Sequence, residues 1–291
     1  MLRLWNAYWL GVRARMCRPR DPKTAMRQYG SLIVHPTRLV STLTPIDYVR
    51  YREFEFVMKS ISRYSPAPQK VLDIGSPKLL ALSLAMSMPE AVVHTLDLLH
   101  REVRSASDAA QRLRIGNLVP QVQDARCLGY ADSSFDVVVS VSVLEHIAPE
   151  HDGDVPASRE LGRVLAPRGV AILTVPFWRV YFAEYRIGPV YGRTSSHGEP
   201  IFFQRFYDYD RLTRNIIRSS GLDLLYLGFI EERFLSPDPK KRLSQFVNAS
   251  PTQNLVFGLS FPILSRVFLS HPKPLASCKK PYIACIVLRK P

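Results

Sequence analysis

From residue 70 onward the chain alternates short apolar runs with stretches of helical period. The runs are Val71–Ile74, Ala91–Leu96, Val119–Val122, Phe135–Val141 and Val170–Val175, and the helical stretches fall near 77–88, 100–115 and 156–165. Strands that alternate with helices predict a parallel sheet covered on both faces. Right-handed crossovers then make the architecture doubly wound. Phe206–Ser220 predicts a further helix closed by Gly221, and Leu222–Ile230 and Tyr282–Leu288 predict two more strands, separated by an insertion over about 232–280. Ahead of this region, Ile46, Val49, Phe54, Val57, Met58 and Ile61 recur near a 3.6-residue period across 45–64, and Ser65-Pro66-Ala67-Pro68 stops the helix. The pattern divides the chain into an N-terminal helical extension, 1–68, and an α/β domain, 69–291.

Composition narrows this picture. With 46% hydrophobic and 22% charged residues, the chain is globular rather than disordered. A net charge of +14 favours an anionic partner or surface, although a solvated basic face gives the same number. None of Cys17, Cys127, Cys278 and Cys285 sits at C-x-x-C spacing, which speaks against a zinc or redox motif and fits a reducing, cytoplasmic compartment. The N-terminus does not read as a signal peptide, because its apolar stretch is short and contains Asn6. Trp5, Tyr8 and Trp9 interleave there with basic residues, a pattern suited either to packing on the main domain or to an anionic membrane surface. The apolar segment 255–269 is too short to span a bilayer but could touch one.

The most informative segment is Val71-Leu-Asp-Ile-Gly-Ser-Pro-Lys-Leu-Leu80. A buried strand ends in Asp73 and Gly75, and a helix then begins, with Ser76 expected as N-cap and Pro77 at the first helical position. Gly75 permits a sharp turn and close approach of a ligand at the C-terminal edge of the sheet. Asp97 ends the second strand 22 residues after Gly75, the separation at which an acid accepts ribose hydroxyls in nucleotide-binding sheets.

These residues resemble the first strand of class I S-adenosylmethionine-dependent methyltransferases of the type 11 kind, whose pattern is hydrophobic–Asp–hydrophobic–Gly–x–Gly–x–Gly. The first half matches; Pro77 and Leu79 stand where the second and third glycines are expected. Gln123-Asp-Ala-Arg126, Ser134–Ile147 with its Val143-Leu-Glu-His146, and Glu160–Pro176 with its Pro167-Arg-Gly169 turn follow in the family's order. The resemblance covers about 70–230 and implies a mostly parallel, seven-stranded, Rossmann-like sheet. It implies S-adenosylmethionine as cofactor, held by Asp73, Gly75 and Ser76, by Asp97 and Leu98 at the ribose, by Asp124 and Ala125 at the adenine, and by Ser140 and Val141 at the methionine end. The lone Gly75 argues against the G-x-G-x-x-G of a nicotinamide-dependent oxidoreductase.

The implied reaction moves a methyl group to a small-molecule, sugar (glycan) or lipid-linked acceptor. His146, just after the fourth strand, is the candidate general base, with a locally packed histidine as the alternative. His146, Glu150, His151, Asp152 and Asp154 form no tight ligand motif, and no metal is expected. Aromatics and arginines interleave over Phe177–Phe206, including Arg179, Arg186, Arg193, His197 and Arg205, and suit an anionic or sugar acceptor. A nucleic-acid acceptor is disfavoured, because the turn after the fourth strand lacks the Asn/Asp-Pro-Pro-aromatic pattern. The altered glycine turn leaves open a non-catalytic binding or scaffold protein on the same fold.

Overall fold

The computed structural model describes residues 47–194, 198–233 and 260–291. The basic aromatic stretch at 1–30, the run Ser236–Arg242, residues 255–259 and His197 lie outside the described residues, and so does the membrane-surface reading that rested on the N-terminus.

Helix α1 (Tyr48–Tyr64) precedes β1 (Lys70–Ile74), α2 (Lys78–Ser87), β2 (Val92–Asp97), α3 (His100–Leu113), β3 (Leu118–Val122) and β4 (Phe135–Val141). A 3-10 turn at Leu144–His146 leads to α4 (Asp154–Val164), β5 (Leu165–Pro176), β6 (Phe182–Arg186) and β7 (Ile201–Phe206). The chain continues through α5 (Tyr209–Arg211), a π-helical stretch Leu212–Arg218, β8 (Asp223–Glu231), α6 (Phe261–Phe268) and β9 (Pro281–Arg289). Seven strands form one sheet in the order β3-β2-β1-β4-β5-β9-β8. The first five pair in parallel, and β9 joins β5 and β8 antiparallel. This is the doubly wound architecture that the strand–helix alternation predicts, with the seven mostly parallel strands that the resemblance implies.

Side chains alternate across the sheet and build two cores. Val71 of β1, Val137, Val139 and Val141 of β4 and Val170 and Ile172 of β5 face one side, where they meet Tyr51 and Val57 of α1, Leu80 and Leu84 of α2, and Phe261 of α6. Leu72, Ile74, Phe135, Val138, Ala171 and Leu173 face the other side, against Leu161 of α4 and Leu212 and Ile216 of the π-helical stretch. α1 is thus part of the main core. It is tied to α6 by Arg52, whose guanidinium donates to the Ser265, Arg266 and Leu269 carbonyls at 3.2, 3.3 and 3.2 Å. These carbonyls lie at the C-terminal end of α6, where Ser265 O also accepts from Leu269 N at 3.2 Å, and a cation there complements the helix dipole. On α6, Ile263 and Val267 remain exposed. Among the described residues no helix is long and apolar enough to cross a membrane.

Two local expectations are corrected, and one sheet is added. Ser76 does not cap α2: Pro77 holds the N-cap position without a side-chain bond, and the Ser76 hydroxyl turns inward to accept from Val141 N at 2.9 Å. The helix expected over 206–220 starts only at Tyr209, because Phe206 is still in β7 and Asp208 is the cap, its carboxylate accepting from Arg211 N at 2.8 Å. The aromatic stretch after β5, for which the apolar pattern predicted no element, holds a second, two-stranded antiparallel sheet, β6–β7.

Gly162 of α4 is where the second face closes. A Cβ built there would stand 1.9 Å from the Ser220 carbonyl oxygen, which is backbone and cannot rotate away. Glycine-to-alanine changes inside helices ordinarily stabilise by about 0.5–1 kcal/mol. Gly162→Ala is expected to reverse the sign and destabilise by more than about 2 kcal/mol, measured by urea denaturation at constant m-value.

Candidate cofactor and acceptor site

The strand order turns back between β1 and β4, so the chain leaves these neighbours in opposite directions and opens a crevice at their C-terminal ends. Gly75 sits on its floor with φ +60°, a conformation that L side chains rarely adopt. A Cβ there would also press on Val143 Cγ1 at 3.1 Å. The turn is pinned by Gly75 N, which donates to the Leu96 carbonyl at 2.9 Å, and Ser140 Oγ reaches the Ile74 carbonyl at 3.4 Å. Pro77 follows this turn as the N-cap of α2, and Leu79 is buried in the core on the first face of the sheet.

Asp73 is fully buried at the end of β1. Its Oδ2 accepts from Thr95 Oγ1 at 2.8 Å, while Oδ1 has no hydrogen-bond partner. Burial pushes its carboxyl up to about 6, against the pull of the nearby Ser76 and of the Thr95 hydrogen bond and with help from the nearby Asp97. Asp97 is half-buried, its Oδ1 accepting from Leu99 N at 2.8 Å, and burial raises its pKa as well. Leu98 beside it is 58% exposed, an apolar face at the mouth of the crevice. Asp124 forms an Asx-type turn, accepting from Arg126 N at 2.9 Å, and its carboxylate is gripped by the Arg126 guanidinium at 2.6 Å. That guanidinium is the main cause of its lowered pKa. Ala125 is buried beside this turn.

The 3-10 turn after β4 carries Glu145 and His146. His146 Nδ1 lies 2.8 Å from the Phe203 carbonyl, which can only accept, so Nδ1 carries the proton and Nε2 is left with its lone pair. Nε2 lies 3.4 Å from the Tyr191 hydroxyl and 3.7 Å from Glu145 Oε1. Burial pushes the imidazole down to about 4, and the charges of Arg50, Arg186 and Arg205 add to this. Tyr191 and Gly192 both have positive φ, 48° and 79°, in a tight turn closed by two 2.9 Å bonds between Val190 and Arg193. This turn, from the β6–β7 connection, brings Gly192 over Leu99 and Tyr191 over His146. It thereby bridges the Asp97 side of the crevice and the His146 side.

One polar group that the sequence did not single out, Glu53, ties α1 to the ends of β4 and β5. Glu53 of α1 is fully buried; its Oε1 accepts from Ser142 Oγ at 2.8 Å and Thr174 Oγ1 at 2.7 Å, and its Oε2 from Arg50 at 2.6 Å. Ser142 and Thr174 lie at the ends of β4 and β5, and Ser142 itself has φ 52°. A signal was present: Glu53 stands four residues from both Val49 and Val57, on the apolar stripe of α1. Arg205 was expected to clamp an acceptor. It is instead fully buried and holds the post-β4 loop, donating to the Leu144, Ile147 and Pro149 carbonyls at 3.2, 2.6 and 2.7 Å and pairing with Asp154 at 3.1 Å. Tyr207 and Asn215 also donate to Asp154, at 2.6 and 3.3 Å. Arg179 is likewise engaged, on the Cys278 carbonyl, and Arg186 stacks on Phe203 at 3.3 Å. Among the described residues no three His, Cys, Asp or Glu side chains gather to hold a metal ion.

A methyltransferase-domain family model matches residues 72–173. No curated protein matches the sequence. Among solved structures the chain is similar to coclaurine N-methyltransferase bound to N-methylheliamine and SAH, at 11% identity over 99% of this chain and 93% of that one, with a TM-score of 0.54. It is similar to the cyclase SpnF at 18% identity, covering 81% and 80% of the two chains with a TM-score of 0.51. A SAM-dependent methyltransferase from Methanosarcina mazei is 18% identical, with 79% and 96% covered and a TM-score of 0.51. At these identities the likeness is one of fold.

Asp154 is the centre of the buried network that fixes the loop bearing Glu145 and His146. Asp154→Ala leaves Arg205 buried without its counter-ion and is expected to cost about 3–5 kcal/mol in urea denaturation. Tyr207→Phe, which removes one hydrogen bond, is expected to cost about 1–2 kcal/mol.

Proposed function

We propose that this chain, whose residues 72–173 match a methyltransferase-domain model, is a class I S-adenosylmethionine-dependent methyltransferase that methylates a hydroxyl on a small-molecule, sugar or lipid-linked acceptor, with His146 as general base. The observation that carries this reading is the pairing of two environments across one crevice. On the β1–β2 side are acids and a glycine turn suited to an adenosyl-amino acid; on the β4 side is a neutral imidazole whose Nε2 accepts only from the Tyr191 hydroxyl, at 3.4 Å. Residues 69–291 supply the cofactor side in this reading, and the extension before residue 69 contributes the Arg50–Glu53 pair.

The residues fit the cofactor. The unpartnered, fully buried Oδ1 of Asp73 suits its ammonium group, which would give that oxygen the charge-assisted bond it lacks. Gly75 leaves the backbone open to close approach. Asp97 suits the ribose diol, and the exposed Leu98 offers an apolar surface to the adenine. Asp124 and Ala125 lie at the next strand end, where Asp124 must share its carboxylate between Arg126 and the adenine amino group. Ser140 and Val141 line the turn at the methionine end, the latter fixed by Ser76. Bound cofactor supplies an electrophilic methyl on a sulfonium. The protein's task is alignment and removal of a proton.

His146 can perform that removal because its tautomer is set. The Phe203 carbonyl holds the Nδ1 proton, so Nε2 accepts, and Tyr191 is placed to hand its position to an acceptor hydroxyl. An amine acceptor would need no base once neutral, and a carboxylate none at all. The depressed basicity keeps His146 unprotonated across the neutral range.

Titration calorimetry with S-adenosylhomocysteine, and NAD as control, tests the cofactor side. Asp97→Ala is expected to weaken binding about 10–100-fold, the worth of hydrogen bonds to a charged group. Asp73 must be ionised to meet an ammonium, and its pKa is raised to about 6. Wild-type affinity is therefore expected to hold above that pH and to fall by up to about tenfold per pH unit below it. Binding that is absent from well-folded protein, or indifferent to Asp97, contradicts the reading and favours a scaffold role.

A further inference from the structure

Glu145 is the least explained group in the molecule. It is 1% exposed, sits beside the candidate base, and neither carboxylate oxygen has a hydrogen-bond partner. Such a group ordinarily costs stability, and only nearby cations and its own backbone N–H offset part of that cost. Its surroundings are charged from several sides. Arg50 and Glu53 face it from α1 and Arg205 from β7, and His146 adjoins it on its own turn. The faces presented to His146 are Tyr191 from the turn above, Arg186 of β6, and the same Arg50 and Arg205. Arg50 lies close enough to feel Glu145 but spends its hydrogen bond on Glu53, which is itself locked to Ser142 and Thr174. α1 thus fixes a cation near Glu145 without closing an ion pair to it.

We propose that Glu145 is a positioning residue for His146, whose carboxylate becomes the counter-ion of the imidazolium formed during turnover, and that Arg50, held by Glu53, sets the charge of Glu145. This rests on the reading of His146 as general base. In the step, a lone pair on the acceptor oxygen forms the new O–C bond while the C–S bonding pair stays on sulfur. The hydroxyl proton passes to His146 Nε2. Oε1 of Glu145, 3.7 Å from Nε2, then faces a full positive charge, and the proton leaves to solvent from the partly exposed imidazole edge. The reactive state is therefore neutral His146 beside ionised Glu145.

Burial pushes Glu145 up to about 8, partly offset by its own backbone N–H and by Arg50 and Arg205. At neutral pH it is mostly uncharged, and it ionises as pH rises through that value, while the imidazole 3.7 Å away stays neutral and senses the new charge. The coupling can be read without an acceptor. Histidine-labelled protein saturated with S-adenosylhomocysteine is titrated from pH 5 to 10 by NMR, with the His146 ring assigned from the spectrum lost in His146→Gln. The ring is expected to stay in its neutral Nδ1–H form, with a shift inflection near pH 8. Glu145→Gln is expected to abolish the inflection while the amide spectrum stays native. Arg50→Gln removes a cation that favours the carboxylate and is expected to move the inflection to higher pH. A flat wild-type titration, or an inflection that survives in Glu145→Gln, overturns the role of Glu145. An unmoved inflection in Arg50→Gln overturns the role of α1. Failure of the homocysteine ligand to bind would instead count against the cofactor reading, and the titration of the ligand-free protein would still decide the coupling.

Discussion

Where β1 and β4 lie side by side, the chain leaves β1 toward β2 on one side and leaves β4 toward β5 on the other, and no connection can cover both strand ends. That divergence is the constraint from which the site follows. It leaves backbone at the C-terminal edge of two fully buried strands facing a crevice. The chain must leave β1 through a turn that only a left-handed residue accommodates, at Gly75. Asp73, two residues earlier, is then carried to the base of the crevice on a strand with no freedom to withdraw. The same register that pairs Asp73 with Thr95 of β2 and Val139 of β4 gives one carboxylate oxygen a partner and leaves the other without.

Buried polar groups here are of two physical kinds. Arg205, Asp154, Tyr207 and Asn215 form a network that answers one another and the loop carbonyls, and so rigidify the segment that carries His146. Glu53 likewise answers two strand ends with one carboxylate. Asp73 Oδ1 and both oxygens of Glu145 have no such partners. An unsatisfied buried polar atom costs on the order of 1–3 kcal/mol, so these positions trade stability for readiness to meet a ligand or a developing charge. The network holds the loop that carries Glu145 and His146, although Arg205 Nε within it, and Thr213 Oγ1, Ser265 Oγ and Arg289 Nε elsewhere, also lack partners.

The strands were legible because each is a short apolar run whose alternate residues feed two cores. The acid and glycine of the first strand were legible because their roles depend on backbone position alone. Ser76 was misread: a serine before a helix suggests a cap by local logic, yet the nearby β4 backbone supplied a buried donor, Val141 N, that local sequence could not reveal. The β6–β7 ladder was hidden because aromatics and arginines interleave there without a clean period, and its pairing spans a connection of more than ten residues. Arg205 looked like a surface clamp because arginine is ordinarily exposed; its burial depends on carbonyls of a loop far away in sequence. The Arg50–Glu53 pair carried a readable signal, a carboxylate on an apolar helical stripe, but its partners Ser142 and Thr174 are fixed only by tertiary contact.

A crystal structure of the S-adenosylhomocysteine complex tests the central claim most directly, because the account assigns each end of that ligand to a different strand. It predicts the ribose on the Asp97 carboxylate, the ammonium within hydrogen-bonding distance of Asp73, and the sulfur opening toward His146 and Tyr191. Ligand bound away from the β1–β4 crevice, or bound there with its sulfur turned from His146, would contradict it.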